Sequence, residues 1–187
     1  MSELVRLMLL RCPECNSNLA GEKEGVFLYC GGCGAGFRLE DGKLVKIPVY
    51  FAKAAKNPQS FLPFWAFDAT LELHDVEAKK GLKSVFSDRG GLVRLFKERG
   101  SVRLYVSAFQ GDLEAERPRA LQLTLDQPEL EYVNHPPRAE GFTVALEDAE
   151  KVADFLFLTS EIEQPDMMRK LDYKLTLNNP IVIFIGF

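Results

Sequence analysis

Apolar positions in this chain fall into short runs separated by glycine, proline and charged residues, a pattern that predicts strands more often than helices. Residues 25–29 read as a strand. Residues 37–39 and 43–47 read as two strands joined by a hairpin turn at Asp41-Gly42. Residues 48–57 continue as a strand or a short helix before Pro58. The most apolar segment, residues 61–68, runs into residues 69–76, which alternate at period two as a half-buried strand does. Pro63 removes one ladder hydrogen bond, so the strand starts there or lies at an edge.

Residues 79–99 carry three glycines and no clean helical face. They read as a loop with a short strand at 82–86 and a brief helix at 92–98. Residues 102–109 alternate as a strand. Residues 112–125 are interrupted by Pro118, which allows at best a kinked or late-starting helix. Strands are expected at 130–133 and 142–146, around a turn at 134–137. The strongest helical pattern covers 146–158 within a helix near 146–162. Its acids cluster in the first turn, and Ala149, Val152, Ala153 and Leu156 share one face. Residues 171–177 alternate as a strand, Asn178-Asn179-Pro180 reads as a turn, and 181–187 form a final apolar strand. A run with no polar residue suits burial on both faces of a sheet; the alternative is pairing with a second copy, which would make a homo-oligomer.

Composition sets the class. The chain has 187 residues, 47% hydrophobic and 27% charged, which excludes general disorder and fits one domain with a small module. Its longest apolar run, residues 181–185, is too short to span a bilayer. Glu3 and an arginine interrupt the first apolar stretch and no small-residue cleavage site follows, so a cytoplasmic protein is expected.

The formal net charge of −4 conceals segregation. Residues 79–103 hold eight bases against two acids, and residues 112–166 hold fourteen acids against four bases. Lys79, Lys80, Lys83, Arg89, Arg94 and Lys97 are therefore candidates for binding a polyanion, unless the two segments pack together and neutralise each other. Asp88-Arg-Gly-Gly91 lacks the Gly-Lys-Ser/Thr ending of a phosphate loop.

All four cysteines lie in one short segment, as Cys12-Pro-Glu-Cys15 and Cys30-Gly-Gly-Cys33. Two C-x2-C pairs at this separation point to four thiolates around one tetrahedral ion. Gly31, Gly32, Gly34 and Gly36 suit the tight turns and close backbone approach to sulfur. Two disulfides, an iron–thiolate site and a reactive dithiol are the competing readings. The segment resembles a zinc ribbon over residues 8–48, with Cys12, Cys15, Cys30 and Cys33 at the ligand positions. That resemblance implies structural Zn2+ with no open coordination position. The expected architecture is then α+β: a zinc ribbon at 1–48, then a mostly antiparallel β domain at 49–187 with one or two helices.

Five bases and five acids between Arg11 and Lys46 remove the phosphate-binding term that dominates nucleic-acid affinity. Phe27, Tyr29 and Phe37 read as the ribbon's own small core. Phe61, Phe64, Trp65 and Phe67 either anchor the main core and seat the ribbon or form an interface. His74 and His135 have no sequence companion for catalysis. The chain thus reads as a non-enzymatic protein–protein adapter with a structural zinc. The alternative is a nucleic-acid-binding protein using residues 79–103.

Overall fold

The computed structural model describes residues 10–20, 27–40, 42–78, 91–109, 113–134, 142–162 and 168–187. The longest apolar runs pair with each other. β6 (Phe61–Ala78) and β9 (Met168–Gly186) lie antiparallel from Phe61↔Gly186 to Ala78↔Met168. β7 (Ser101–Ser107) flanks β6, and β5 (Val49–Lys53) runs parallel to β9 on its other side. The two-residue β8 (Glu131–Tyr132) completes the order β7-β6-β9-β5-β8.

The apolar terminal strand is thus central. Val182, Ile183, Phe184 and Ile185 are all buried, and β6 and β5 take both of its edges. No edge of this segment remains for a second copy, which corrects the reading of it as an oligomer contact. Phe61, Phe64, Trp65 and Phe67 are likewise buried, so this fold offers none of them to an outside partner. Pro63 neither starts β6 nor lies in an edge strand, contrary to expectation: Ala108 N–H donates to Pro63 O at 3.0 Å, and Ala108 O, which the missing Pro63 N–H cannot reach, accepts from Thr143 and Val144 instead.

Asn178-Asn179-Pro180 does not turn the chain. Asp68 pairs with Asn178 and Ala66 with Ile181, so β9 carries one more residue than β6 across this step, a bulge. Asn179 takes the left-handed φ of 49° that asparagine tolerates and donates from Nδ2 to Asp68 Oδ2 at 3.0 Å. Asp68 Oδ1 also accepts from the Arg103 guanidinium at 2.9 Å. One carboxylate on β6 therefore ties that strand both to the bulge of β9 and to β7.

Among the described residues three helices accompany this sheet, where one or two were expected: α1 (Leu92–Arg99), α2 (Leu113–Asp126, containing Pro118) and α3 (Leu146–Ile162). On α3, Ala149, Ala153 and Leu156 of the face predicted by spacing are buried, Val152 is half-buried, and Phe157 joins them in the core. Phe157 meets Phe96 of α1 at 6.4 Å and Tyr173 of β9 at 4.7 Å. Residues 142–145 are irregular rather than a strand. The amides of Thr143 and Val144 both donate to Ala108 O, and the Trp65 indole N–H donates to Val144 O at 2.9 Å. The expected strand at 82–86 and the turn containing His135 lie outside the described residues. Among the described residues, no helix is long and apolar enough to cross a membrane.

The outer edge of β7 is closed by side chains of α2 and the residue after it. Tyr105 N–H donates to Thr124 Oγ1 at 3.0 Å, Arg103 N–H donates to Gln127 Oε1 at 3.0 Å, and Gln127 Nε2 donates back to Arg103 O at 2.6 Å. These groups stand in for a neighbouring strand and protect an edge that would otherwise pair with other chains. Thr124 is buried, and its replacement by valine would keep the shape but leave the Tyr105 N–H without its acceptor. Thr124→Val should cost about 1–3 kcal/mol in urea unfolding, and a loss under about 0.5 kcal/mol would show the edge is closed by other means.

A second, antiparallel sheet precedes the first: β1 (Leu19–Ala20), β2 (Phe27–Cys30), β3 (Gly36–Glu40) and β4 (Lys43–Ile47), in that order. Glu40 pairs with Lys43, the register a hairpin requires, and Gly42 between them has a left-handed φ of 74°. β2 is buried on both faces, and its alternation directs each face differently. Cys30, with Phe37 of β3, joins the buried cluster around the cysteines. Phe27 and Tyr29 face the larger sheet: Phe27 lies 4.6 Å from Phe142, and both rings lie near Phe184, at 6.4 and 6.0 Å. Of the three aromatics expected to form a separate small core, only Phe37 does so.

Candidate metal centre

Both C-x2-C pairs fold into the same turn. In the first, Asn16 N–H donates to Cys12 O and Cys12 N–H donates to Ser17 O, each at 2.8 Å. In the second, Gly34 N–H donates to Cys30 O and Cys30 N–H donates to Ala35 O, again at 2.8 Å. The residue after the second cysteine of each pair is left-handed, Asn16 at φ 61° and Gly34 at φ 74°. That position needs glycine or asparagine, the two residues least strained there. The glycine at 34 was legible in the sequence. Asn16 in the equivalent place was missed, although its spacing from Cys12 matches that of Gly34 from Cys30.

These two turns bring the Sγ atoms of Cys12, Cys15, Cys30 and Cys33 within 4.8 Å of one another. Cys12 and Cys33 sulfurs are 3.6 Å apart, and Cys15 and Cys30 sulfurs 3.4 Å. A tetrahedral ion with four sulfurs at about 2.3 Å sets neighbouring sulfurs about 3.8 Å apart, so the cluster fits such an ion with small adjustment. All four cysteines stand as free thiols, and the distances are far from the roughly 2.05 Å of a disulfide. Cys12 and Cys30 are buried beside Phe37, with Leu19, Ala35 and Leu44 packed around them, while Cys15 and Cys33 face solvent.

The protonation of the exposed pair is asymmetric. The Ser17 hydroxyl and backbone amide both stabilise the Cys15 thiolate, and Cys30 adds to them, which outweighs desolvation and lowers Cys15 to about 6. At Cys33 the Ala35 amide acts in the same sense, but desolvation and the other three cysteines overcome it and push the thiol up to about 12. One sulfur ionises readily and its charge opposes the next; a bound cation removes that opposition and releases the remaining protons.

The centre is tied to the rest of the molecule at two points. Lys46 Nζ of β4 pairs with Glu14 in the first turn at 3.1 Å, across exposed surface. Gly36, just past the second turn, allows β3 to lie against β5: a Cβ there would sit 2.1 Å from Val49 Cγ2 and 2.7 Å from Phe27 Cζ. Gly36→Ala should therefore cost about 1–3 kcal/mol while leaving the metal bound. Urea unfolding followed by Trp65 fluorescence, with zinc content measured on the same sample, checks both halves.

Four of the six candidate polyanion-binding bases, Lys79, Lys80, Lys83 and Arg89, lie outside the described residues. The other two are exposed on α1, where Arg94 Nε donates to Glu98 at 2.6 Å and Lys97 stands one turn from the end. His74 is exposed on β6, and His135 lies outside the described residues. Missed in the sequence was a surface pair, Tyr50 on β5 and Tyr132 on β8, 43% and 62% exposed with rings 5.9 Å apart edge to face. No periodic signal marks them, because each belongs to a short strand. Comparison with protein families, with curated proteins and with solved structures returns no match.

Proposed function

We propose that this chain is a non-enzymatic adapter protein. In this reading its N-terminal sheet is a zinc ribbon in which Cys12, Cys15, Cys30 and Cys33 hold one structural Zn2+. The observation that carries it is the convergence of four sulfurs from two matching turns, a ligand set that fills a tetrahedral ion and leaves no position for substrate. Zinc is favoured over iron because it is the usual occupant of a closed four-cysteine structural site in small modules of this kind. The ion then serves as the core of a sheet whose own buried cluster, among the described residues, holds two cysteines and one phenylalanine.

The adapter part of the proposal is supported by the exposed Tyr50–Tyr132 pair, since tyrosine is enriched at protein interfaces. The pair sits next to a groove lined by Cys33, Lys46 and Val49 on the flank of the metal centre. The test uses zinc-loaded protein from its native source, cross-linked and analysed by mass spectrometry. A defined protein partner should cross-link beside Tyr50 and Tyr132 and be lost from the double variant Tyr50→Ser/Tyr132→Ser. RNA or DNA binding that weakens steeply with salt, and disappears in Lys79→Glu/Lys80→Glu/Lys83→Glu, would replace this reading with the nucleic-acid one.

A further inference from the structure

β9 is flanked unequally along its length. β6 pairs with it from Ala78↔Met168 to Phe61↔Gly186, but β5 pairs with it only from Val182 to Gly186. Among the described residues, no strand reaches residues 170–178 of β9 on the β5 side, and the first backbone bond there is Val182 N–H to Pro48 O at 3.1 Å. This stretch lies before the bulge at Asn179 and is distinct from the buried residues 182–185. It is also regular. Where the ladder slips between Leu73 and Asp75, the extra residue, His74, belongs to β6, so residues 170–178 run on without a bulge of their own. A regular strand with one open edge is a template for another strand.

Charged side chains are the usual guard of such an edge. Here they stand in an order that admits one partner. Asp172 and Lys174 are exposed, and among the described residues neither makes a hydrogen bond or an ion pair. Glu72 stands across from Lys174 on β6 without bonding to it. Two copies of one strand pair antiparallel about a two-fold axis normal to the sheet, and opposed residues then share a face. Each register is therefore centred on a single residue. Centred on Asp172 or on Lys174, the pairing sets that residue against its own copy, like charge on like. Centred on Leu175, it sets Asp172 against Asn178 and Lys174 against Thr176. Centred on Tyr173, it sets Asp172 against Lys174 of the second copy and Lys174 against the second copy's Asp172.

We infer that this chain pairs with a second copy of itself, β9 to β9 antiparallel over residues 170–176, about an axis at Tyr173. The two charge pairs select the register, and two five-stranded sheets join into one. Tyr173 at the axis is already held within its own chain: its hydroxyl donates to Asp154 Oδ1 at 2.7 Å and its ring lies 4.7 Å from Phe157. The pairing does not rest on the metal or on the adapter reading, because the cysteines belong to the other sheet. It would nonetheless give an adapter two Tyr50–Tyr132 surfaces, and so avidity for a partner with two matching sites.

Sedimentation velocity of the full-length, zinc-loaded protein over a range of concentrations reads the dimer. A single strand edge is a small interface, so the dissociation constant should be on the order of 100 µM in low salt and rise about tenfold in 1 M salt. Asp172→Lys alone, and Lys174→Asp alone, each place two like-charge pairs beside the axis and should weaken self-association at least about tenfold. An equimolar mixture of the two variants should recover a dimer, because every cross-chain pair in the mixed species is opposite in charge. Both positions are exposed, and circular dichroism with zinc content verifies that each variant is folded. A wild-type chain that stays monomeric up to its solubility limit, single variants that dimerise as the wild type does, or a mixture that stays monomeric would overturn the assignment.

Discussion

Replacing Cys30 by serine should release the metal and unfold the N-terminal sheet while the five-stranded sheet stays folded. Cys30 is completely buried, supplies one of four sulfurs, and closes the second turn through its own N–H and C=O. Structural zinc contributes about 10–16 kcal/mol in small zinc modules, and Phe37 with its few partly buried neighbours cannot replace that. The larger sheet has its own core, from Phe64 and Phe67 through Val106 to Ile185. It would still lose cover, because Phe27 and Tyr29 leave Phe184 and Phe51. Hydrogen exchange should therefore accelerate throughout residues 10–47, and protection across β6, β7 and β9 should fall but persist. Retained zinc, or collapse of both sheets together, would contradict this division.

Phe184→Ala should give the opposite signature, a large loss of stability with the metal still bound. Phe184 is 1% exposed near the C-terminal end of β9, stacks on Phe51 at 5.2 Å, and lies within 6.4 Å of Phe27 and 6.0 Å of Tyr29. Truncating a buried phenylalanine removes its transfer energy and leaves a cavity, together about 3–5 kcal/mol. Here the cavity opens between the two sheets, so the loss falls on their mutual packing and not on the sulfurs. Urea unfolding followed by Trp65 emission should show the full shift, with one zinc per chain in the native variant. A shift below about 1 kcal/mol would mean that the sheets are held together by other contacts.

What could be read from the sequence was local. The two C-x2-C pairs, the hairpin at Asp41-Gly42 and the helical face of Ala149, Ala153 and Leu156 each follow from residues close together in the chain. The burial of residues 182–185 followed from their lack of any polar side chain. The failures were tertiary. Asn178-Asn179-Pro180 has the composition of a turn, and only Asp68, distant in sequence, receives the Asn179 amide and keeps the strand continuous. Residues 142–145 have strand-like composition, but their amides are claimed by Ala108 O and one of their carbonyls by the Trp65 indole. Phe27 and Tyr29 alternate as expected, yet alternation cannot say that the face they share meets a second sheet instead of a private core. Sequence spacing located the metal ligands and implied close backbone approach to sulfur; the left-handed Asn16 emerged only with the backbone in place.

X-ray absorption at the zinc edge of the protein purified from its native source tests the four-sulfur closure most directly. One zinc per chain with four sulfur neighbours at about 2.3 Å, and no lighter atom in the coordination shell, is the expected spectrum. A nitrogen or oxygen neighbour, or a chain that carries no metal at all, would contradict it.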